Sequence, residues 1–280
     1  MISLTSAPIQ RAIQKELQKK VSLMGTPPLL AVVRLGDDDA SVLYAKTICK
    51  KAKLLGIKVR VFPFSGDTHQ QKIISFIQEL NTNSEINGIM LQRPLPSRFN
   101  EFRLASQVSF RKDVEGIHQE NLGKLILNKK TIYPCTAEAA IEILRFYNIT
   151  TQGKKVVVVG ASNIVGKPIA NLLIQEDSPF ARATVTICNK YTTDISSFTK
   201  DADIIFVAVG KAKFLKASMI KQNCTIIDIG ISVDKRGRMV GDVDFADCAK
   251  KANGITPVPG GVGRLTTMVL FKNLLKAMSL

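Results

Sequence analysis

The chain has 280 residues, 45% hydrophobic and 22% charged, long enough for two modest domains with buried cores and incompatible with a disordered segment or a fibre. Its 39 Lys and Arg against 23 Asp and Glu leave a net charge of +16, which favours anionic partners (nucleic acid, or small molecules bearing phosphates and carboxylates) or is simply a basic solvated surface. No arginine-rich run, aromatic RNA-binding strand or zinc-finger spacing turns that charge into a nucleic-acid module, the apolar runs fall far short of the roughly 20 residues that cross a bilayer, and the opening MISLTSAPIQRAIQ lacks a basic-then-apolar signal pattern.

A cytoplasmic protein with neither a nucleic-acid nor a membrane partner is therefore expected. Cys49, Cys135, Cys188, Cys224 and Cys248 are scattered, with no CxxC pair and only His69 and His118 beside them in the composition. The expectation is five reduced thiols, no disulfide framework and no metal site.

Along the chain, strand-like and helix-like stretches alternate. LLAVVRLG is followed by the helical SVLYAKTICKKAKLLGI, then KVRVFPF, a helix near QQKIISFIQELN, and INGIMLQ. A second half repeats the rhythm as KKVVVVG, VGKPIANLLIQ, ATVTICN, ADIIFVAVG, CTIIDIGI and a last helix RLTTMVLFKNLLKAMSL. Short β-branched runs bounded by glycine predict strands buried on both faces, and the alternation predicts an α/β fold with parallel strands in two successive units. The boundary is placed within CTAEAAIEILRFYN, giving a first domain over residues 1–138 and a second over 139–264, with TPVPGGVG as a Pro/Gly crossover and the helix over 265–280 docking back on the first domain.

VVVVGASNIVGKPIANLL puts Gly160, Ser162 and Gly166 between a strand and a helix, where glycines admit a pyrophosphate to the helix N-terminus. The spacing G-x-S-x-x-x-G is not the common dinucleotide fingerprint, and an ordinary strand-to-helix turn reads the same way. The next strand ends in NKYT; an acid there would accept a ribose 2′-hydroxyl, whereas the basic Lys190 suits a 2′-phosphate and favours NADP over NAD.

GIMLQRPLP, KDVEGIHQENLGKL, YPCT, GASNIVGKP, VGDVDF and ITPVPGGVG, in this order and over nearly the whole chain, resemble the bifunctional methylenetetrahydrofolate dehydrogenase/cyclohydrolases. The resemblance implies two α/β domains about a cleft, the C-terminal one of Rossmann type, in a homodimer that acts on anionic tetrahydrofolate one-carbon substrates. It implies oxidation of the methylene bridge with NADP, then hydrolysis of the methenyl product to formyltetrahydrofolate. Carried over residue by residue, it assigns Gly160, Ala161, Ser162, Val165, Gly166, Lys190 and Ile231 to the cofactor, Pro259, Gly260 and Gly261 to the folate, and Tyr44, Gln92 and Glu115 to folate binding and catalysis.

The family's folate-side motif has a lysine four positions after its tyrosine, and here that position is Ile48. Hydrolysis of a methenyl bridge needs a proton moved between nitrogen and oxygen, which a lysine of lowered pKa can carry and isoleucine cannot. Hydride transfer asks only for positioning. On a helix of about 100° per residue, Lys46 and Lys50 point away from Tyr44 whereas Lys51 lies about 20° from it, so the stand-in is Lys51 or nothing. A dehydrogenase without the second activity is the alternative, and a non-catalytic binder a more distant one.

Three further departures accompany this. Glu115 stands where the family has aspartate, keeping a carboxylate for pterin N–H groups on a longer arm. Ala161 replaces an arginine that contacts the 2′-phosphate, and Lys190 replaces a serine, so that the positive charge has moved between neighbouring loops. Gln92 also reads as an amide tying a strand end to a loop, and Cys135 as a packed small residue rather than a nucleophile.

Overall fold

A computed structural model describes residues 1–178, 180–234 and 236–280 and divides into two units, each gathering separate stretches of chain. One comprises Met1–Arg11 with Thr136–Val269, the other Ala12–Cys135 with Leu270–Leu280. The first eleven residues thus group with the later half of the chain, a difference from the boundary read in the sequence. The reason is β1 (Ile2–Ser3), which pairs in parallel with a strand near residue 254. Helix α1 (Ala7–Ser22) follows. The sequence reading put no helix there, although Ser6 and Pro8 make a helix start and Ile9, Ile13, Leu17 and Val21 recur at helical spacing and are buried.

In the unit built on Ala12–Cys135, β2 (Leu29–Leu35) lies between β3 (Lys58–Phe64) and β4 (Gly88–Leu91), all parallel. Central β2 is almost wholly buried, and so is the outer strand β4, whose free side is covered by a bridge from Ile89 to Asp113, while the other edge strand, β3, alternates with solvent. The connections are α2 (Asp39–Leu55) and α3 (Gln70–Thr82). Asp38 caps α2 by accepting from the Ser41 amide at 2.9 Å, and Gly56 at φ 74° ends it. Helices α4 (Glu101–Ala105), α5 (Gln119–Ile126) and the start of α6 (Cys135–Phe146) follow.

The other unit carries β5 (Lys155–Val159), α7 (Gly166–Leu173), β6 (Thr184–Cys188), α8 (Ser196–Thr199), β7 (Ile204–Val207), β8 (Thr225–Asp228), the hairpin strands β9 (Ser232–Val233) and β10 (Met239–Val240), α9 (Phe245–Cys248), β11 (Gly254–Ile255) and the start of α10 (Val262–Ala277). Its six-stranded sheet runs β1-β11-β8-β7-β5-β6, every pairing parallel. Strands β7 and β8 are buried throughout, as is β5 beyond Lys155. After β5 the chain goes first to one side of that strand, to β6, and then returns to the other, to β7. That reversal opens a crevice at the strands' carboxyl ends, where open α/β sheets bind ligands. The later part of α10, from Leu270, belongs with Ala12–Cys135: Asn273 donates from Nδ2 to the carbonyls of Val114 and Tyr133 at 2.9 and 3.0 Å. No helix among the described residues is long and apolar enough to cross a membrane.

Candidate functional site

At the end of β5 the backbone turns at Gly160, φ 120°, where a Cβ would come within 2.2 Å of the Ala208 carbonyl oxygen. A Cβ on Gly166 would lie 1.8 Å from the Gly160 oxygen. The two glycines are therefore required by the packing of β5, β7 and α7 on one another, whatever else the turn does. Ser162 Oγ accepts from the Val165 amide at 3.2 Å, and its carbonyl accepts from the Lys167 amide at 3.1 Å.

Beside this turn lies a cavity of about 910 Å³ that reaches Val159 at the end of β5, Cys188 at the end of β6 and Ala208 after β7. Of the residues assigned to a cofactor, Gly160, Ala161, Ser162 and Lys190 line it. Val165, Gly166 and Ile231 are outside the lining: Gly166 acts from beneath the turn, and Ile231 is exposed with its Cδ1 facing Gly263. Ala161 and Lys190 do share one cavity, as the moved charge requires.

Lys190 Nζ sits 4.9 Å from the centre of the Tyr191 ring, a cation–π arrangement that limits its wandering. The loop beneath it is pinned, since Asn189 Oδ1 accepts from the Tyr191 amide and Thr192 Oγ1 from that of Asn189. An acid, Asp194, lines the same cavity as Lys190. Its Oδ1 accepts from the Ser197 amide at 3.3 Å at the start of α8, which occupies part of its charge. Sequence reasoning missed two further cations in the lining, Lys167 and Lys211. Lys167 stands inside the GASNIVGKP motif itself, and Lys211 follows β7 in AVGKAKF, a strand end at the reversal. Three lysines, an exposed backbone turn and a cavity of this size fit a phosphate-bearing dinucleotide.

Behind the turn two buried aspartates join the loops. Asp242 Oδ2 accepts from the amides of Val209 and Gly210 at 2.6 and 2.8 Å, and Asp228 accepts from those of Gly230, Asp242 and Val243. Burial pushes the Asp228 carboxyl up to about 7 against the pull of these amides. In the same unit Ser6 Oγ donates to the Gly260 carbonyl at 2.6 Å. Gly260 has φ 113°, and a Cβ on Gly261 would meet the Pro257 oxygen at 2.6 Å, so the turn that follows Pro259 accepts little but glycine.

In the unit built on Ala12–Cys135, helix α2 buries Ser41, Ala45, Ile48, Ala52 and Leu55 along one stripe. Ile48 is 0% exposed. Tyr44 and Lys51 are half-buried, and seven residues of helix separate them by about 10 Å along its axis. Gln92, after β4, is buried and donates from Nε2 to the Ser41 carbonyl at 2.6 Å, while its Oε1 has no partner among the described residues. The amide thus ties the strand end to α2 and still presents a buried acceptor. One residue on, Arg93 donates to Glu115 Oε1 at 2.9 Å and has Glu101 at 3.5 Å.

Glu115 is buried, and desolvation raises its pKa while Arg93 opposes the rise. Its loop is organised by the neighbouring buried Asp113, whose carboxylate accepts from the amides of Gly116 and His118 and from Asn121 Nδ2. Cys135 Sγ donates to the Val114 carbonyl at 3.3 Å. Gln92 and Glu115 come together through Arg93, and Gln92 reaches the turn of α2 that carries Tyr44; Pro259, Gly260 and Gly261 belong to the other unit. No group of three or more His, Cys, Asp and Glu that could hold a metal occurs among the described residues.

A parallel sheet with a glycine turn and a lysine-lined cavity at its reversal defines a dinucleotide-binding α/β protein. The comparisons carry the assignment further. Residues 134–280 match the model of the tetrahydrofolate dehydrogenase/cyclohydrolase NAD(P)-binding domain, and residues 4–115 that of the catalytic domain of the same family. A bifunctional protein FolD of Bacillus licheniformis is 43% identical over 94% of this chain and 89% of its own. The crystal structure of the FolD dehydrogenase/cyclohydrolase of Campylobacter jejuni is 36% identical with a TM-score of 0.95, covering 100% of this chain and 99% of that one. That of the Trypanosoma brucei enzyme, complexed with NADP and an inhibitor, is 31% identical with a TM-score of 0.92, covering 100% and 97%. The chain belongs to the tetrahydrofolate dehydrogenase/cyclohydrolase family.

Proposed function

We propose that this chain oxidises methylenetetrahydrofolate to methenyltetrahydrofolate with NADP, and that its hydrolysis of the methenyl product is much the weaker of two activities. The observation that carries the imbalance is Ile48, wholly buried on the core-facing stripe of α2 where the family motif has its lysine. A side chain without a titratable group cannot move the proton that hydrolysis requires, and a missing general acid/base contribution of ~10²-fold corresponds to about 2–3 kcal/mol.

NADP, when bound, supplies the hydride acceptor. The chain's own residues do the rest. Gly160, Ala161 and Ser162 let the backbone approach the pyrophosphate, with Val165 and Gly166 shaping the turn behind them and Ile231 at the cofactor's edge. Lys190 answers the 2′-phosphate. Glu115 accepts pterin N–H groups and Gln92 offers Oε1 to the folate; Tyr44, Pro259, Gly260 and Gly261 are the further folate residues that the resemblance implies. Lys51 is the nearest candidate to replace the lysine, with an axial gap of about 10 Å to bridge. The dehydrogenase-only alternative rests on that gap. The reading also takes the protein as cytoplasmic and as a homodimer that binds no nucleic acid; sedimentation of the purified protein, with and without duplex DNA, checks the last two.

Following methenyl formation and methenyl decay separately, with NADP and with NAD, tests the proposal. The expected result is clear dehydrogenase turnover with methenyltetrahydrofolate accumulating. Comparable rates for the two steps would refute the imbalance, and no dehydrogenase turnover would refute the function.

A further inference from the structure

We propose that Arg93 is a positioning residue of the folate-side site: its guanidinium, clamped between Glu115 and Glu101, keeps the Glu115 carboxylate charged and oriented as an acceptor for the reduced folate. The inference rests on the reading of Glu115 as a substrate-facing carboxylate and adds to it the group that makes that carboxylate usable.

The geometry is that of a partly open ion pair. Glu115 keeps 8% of its side chain exposed and Arg93 26%, with 2.9 Å between the paired atoms and Glu101 reaching the same guanidinium from α4 at 3.5 Å. A carboxylate this buried takes up a proton unless a cation stands against it, and a protonated carboxyl confronts an N–H donor with a donor of its own. Arg93 is suited to prevent this, because a guanidinium stays charged and its planar fork can hold two carboxylates in fixed directions. Asp113 on the Glu115 loop, which disfavours the ionised form, and Cys135 at the start of α6 also face the pair. Arg93 is the cation in contact with Glu115.

Placement reinforces the assignment. Gln92, which precedes Arg93, presents its partnerless Oε1 from a buried side chain. Two consecutive residues thus carry one buried unpartnered acceptor and hold a second, the Glu115 carboxylate. Ile48 puts no charge on the buried stripe of α2, and Arg93 at the end of β4 puts one beside Glu115.

The test compares Arg93→Leu, Arg93→Lys and Glu115→Gln in the full-length enzyme by steady-state kinetics from pH 5.5 to 9 and by calorimetric binding of tetrahydrofolate alone and of NADP alone. In Arg93→Leu the Kd for tetrahydrofolate and the KM for methylenetetrahydrofolate should rise tenfold or more, the acid limb of kcat/KM should move to higher pH, and kcat and the NADP Kd should stay within about twofold. Arg93→Lys, which restores the charge without the fork, should return the acid limb toward that of wild type and recover part of the folate affinity. Should Arg93→Leu fail to bind NADP and so prove misfolded, Arg93→Gln, which keeps a hydrogen bond without the charge, carries the same expectation. A folate Kd within twofold of wild type with an unmoved acid limb, or a lysine variant as impaired as the neutral one, would overturn the proposal. If that happens while Glu115→Gln still loses folate binding, the role of Arg93 is wrong and the reading of Glu115 stands; if Glu115→Gln binds folate normally, both fall.

Discussion

Ile48 and Lys190 are the residues on which the proposed function turns. Replacing Ile48 with lysine puts an amine into a fully buried position, where desolvation lowers its pKa toward the range that proton transfer needs. Ile48→Lys is therefore expected to raise methenyl hydrolysis tenfold or more with dehydrogenase kcat within about twofold, at some cost in stability because a core side chain is lost. Unchanged hydrolysis would show that position 48 does not matter, and loss of hydrolysis in Lys51→Ala would identify a stand-in. For Lys190, a charge-assisted bond contributes roughly 1.5–3 kcal/mol when well formed and nearly nothing when a lysine is loose in solvent. Lys190 is exposed, with its Nζ over the exposed Tyr191 ring and the backbone below it pinned, so the assignment needs the bound 2′-phosphate to order it. Lys190→Ser should cut kcat/KM with NADP about tenfold and leave NAD use nearly unchanged; an equal effect on both cofactors contradicts the assignment. The absence of a lysine at position 48 could be found by counting along the motif. Its depth could not, because burial is a property of what packs against the helix. Asp194 is different: it stands four residues after Lys190 in the same loop, and what the fold adds is that both line one cavity.

The strand-turn-helix element at β5 and α7 depends on an absent side chain. Gly166→Ala would set a methyl group against the Gly160 oxygen, and relief requires moving either the strand end or the helix start. The expected outcome is a loss of about 3 kcal/mol or more and of NADP binding, read from urea unfolding and cofactor titration. Gly123 in α5 is the opposite case: nothing lies within 4 Å of its added Cβ and its φ is not positive. Gly123→Ala should stabilise the protein by roughly 0.5–1 kcal/mol through helix propensity alone. Two glycines equally visible in the sequence thus carry opposite predictions, and only the neighbouring backbone tells them apart. The sequence did disclose that a turn with glycines stands between a strand and a helix, since β-branched runs and helical spacing are local patterns. It left an ordinary turn and a nucleotide turn equally open, and the cavity with its three lysines, drawn from the ends of β6 and β7 and the start of α7, favours the second.

At the scale of the whole molecule, stability should depend on pH through its buried carboxylates. Asp228 has its pKa raised to about 7 in the folded protein, against about 4 when unfolded. The native state therefore holds the proton more tightly, and the associated stability is fully present below about pH 4 and is lost as pH rises through 7. The loss is on the order of 4 kcal/mol, and Asp113 and Glu115, also raised by burial, act in the same direction. Urea midpoints should fall between pH 5 and pH 8, and Asp228→Asn should flatten that fall whatever it does to the absolute midpoint; an unchanged slope would remove Asp228 from the account. The sequence by itself determined the alternation of strands and helices, the parallel α/β class, the family motifs and their order, and the isoleucine in the lysine's place. Each is written in residues close together along the chain, where periodicity and spacing act. Tertiary structure alone decided that β1 joins the later sheet beside β11, that Asp228 and Asp242 clasp loops from three strands, that Lys167 and Lys211 share a cavity with Lys190, and that Arg93 meets Glu115. These pairings join residues far apart in the chain, and nothing local encodes them: they exist because the core closes in one arrangement, and the burial that closes it also makes a lone carboxylate costly enough to require a partner.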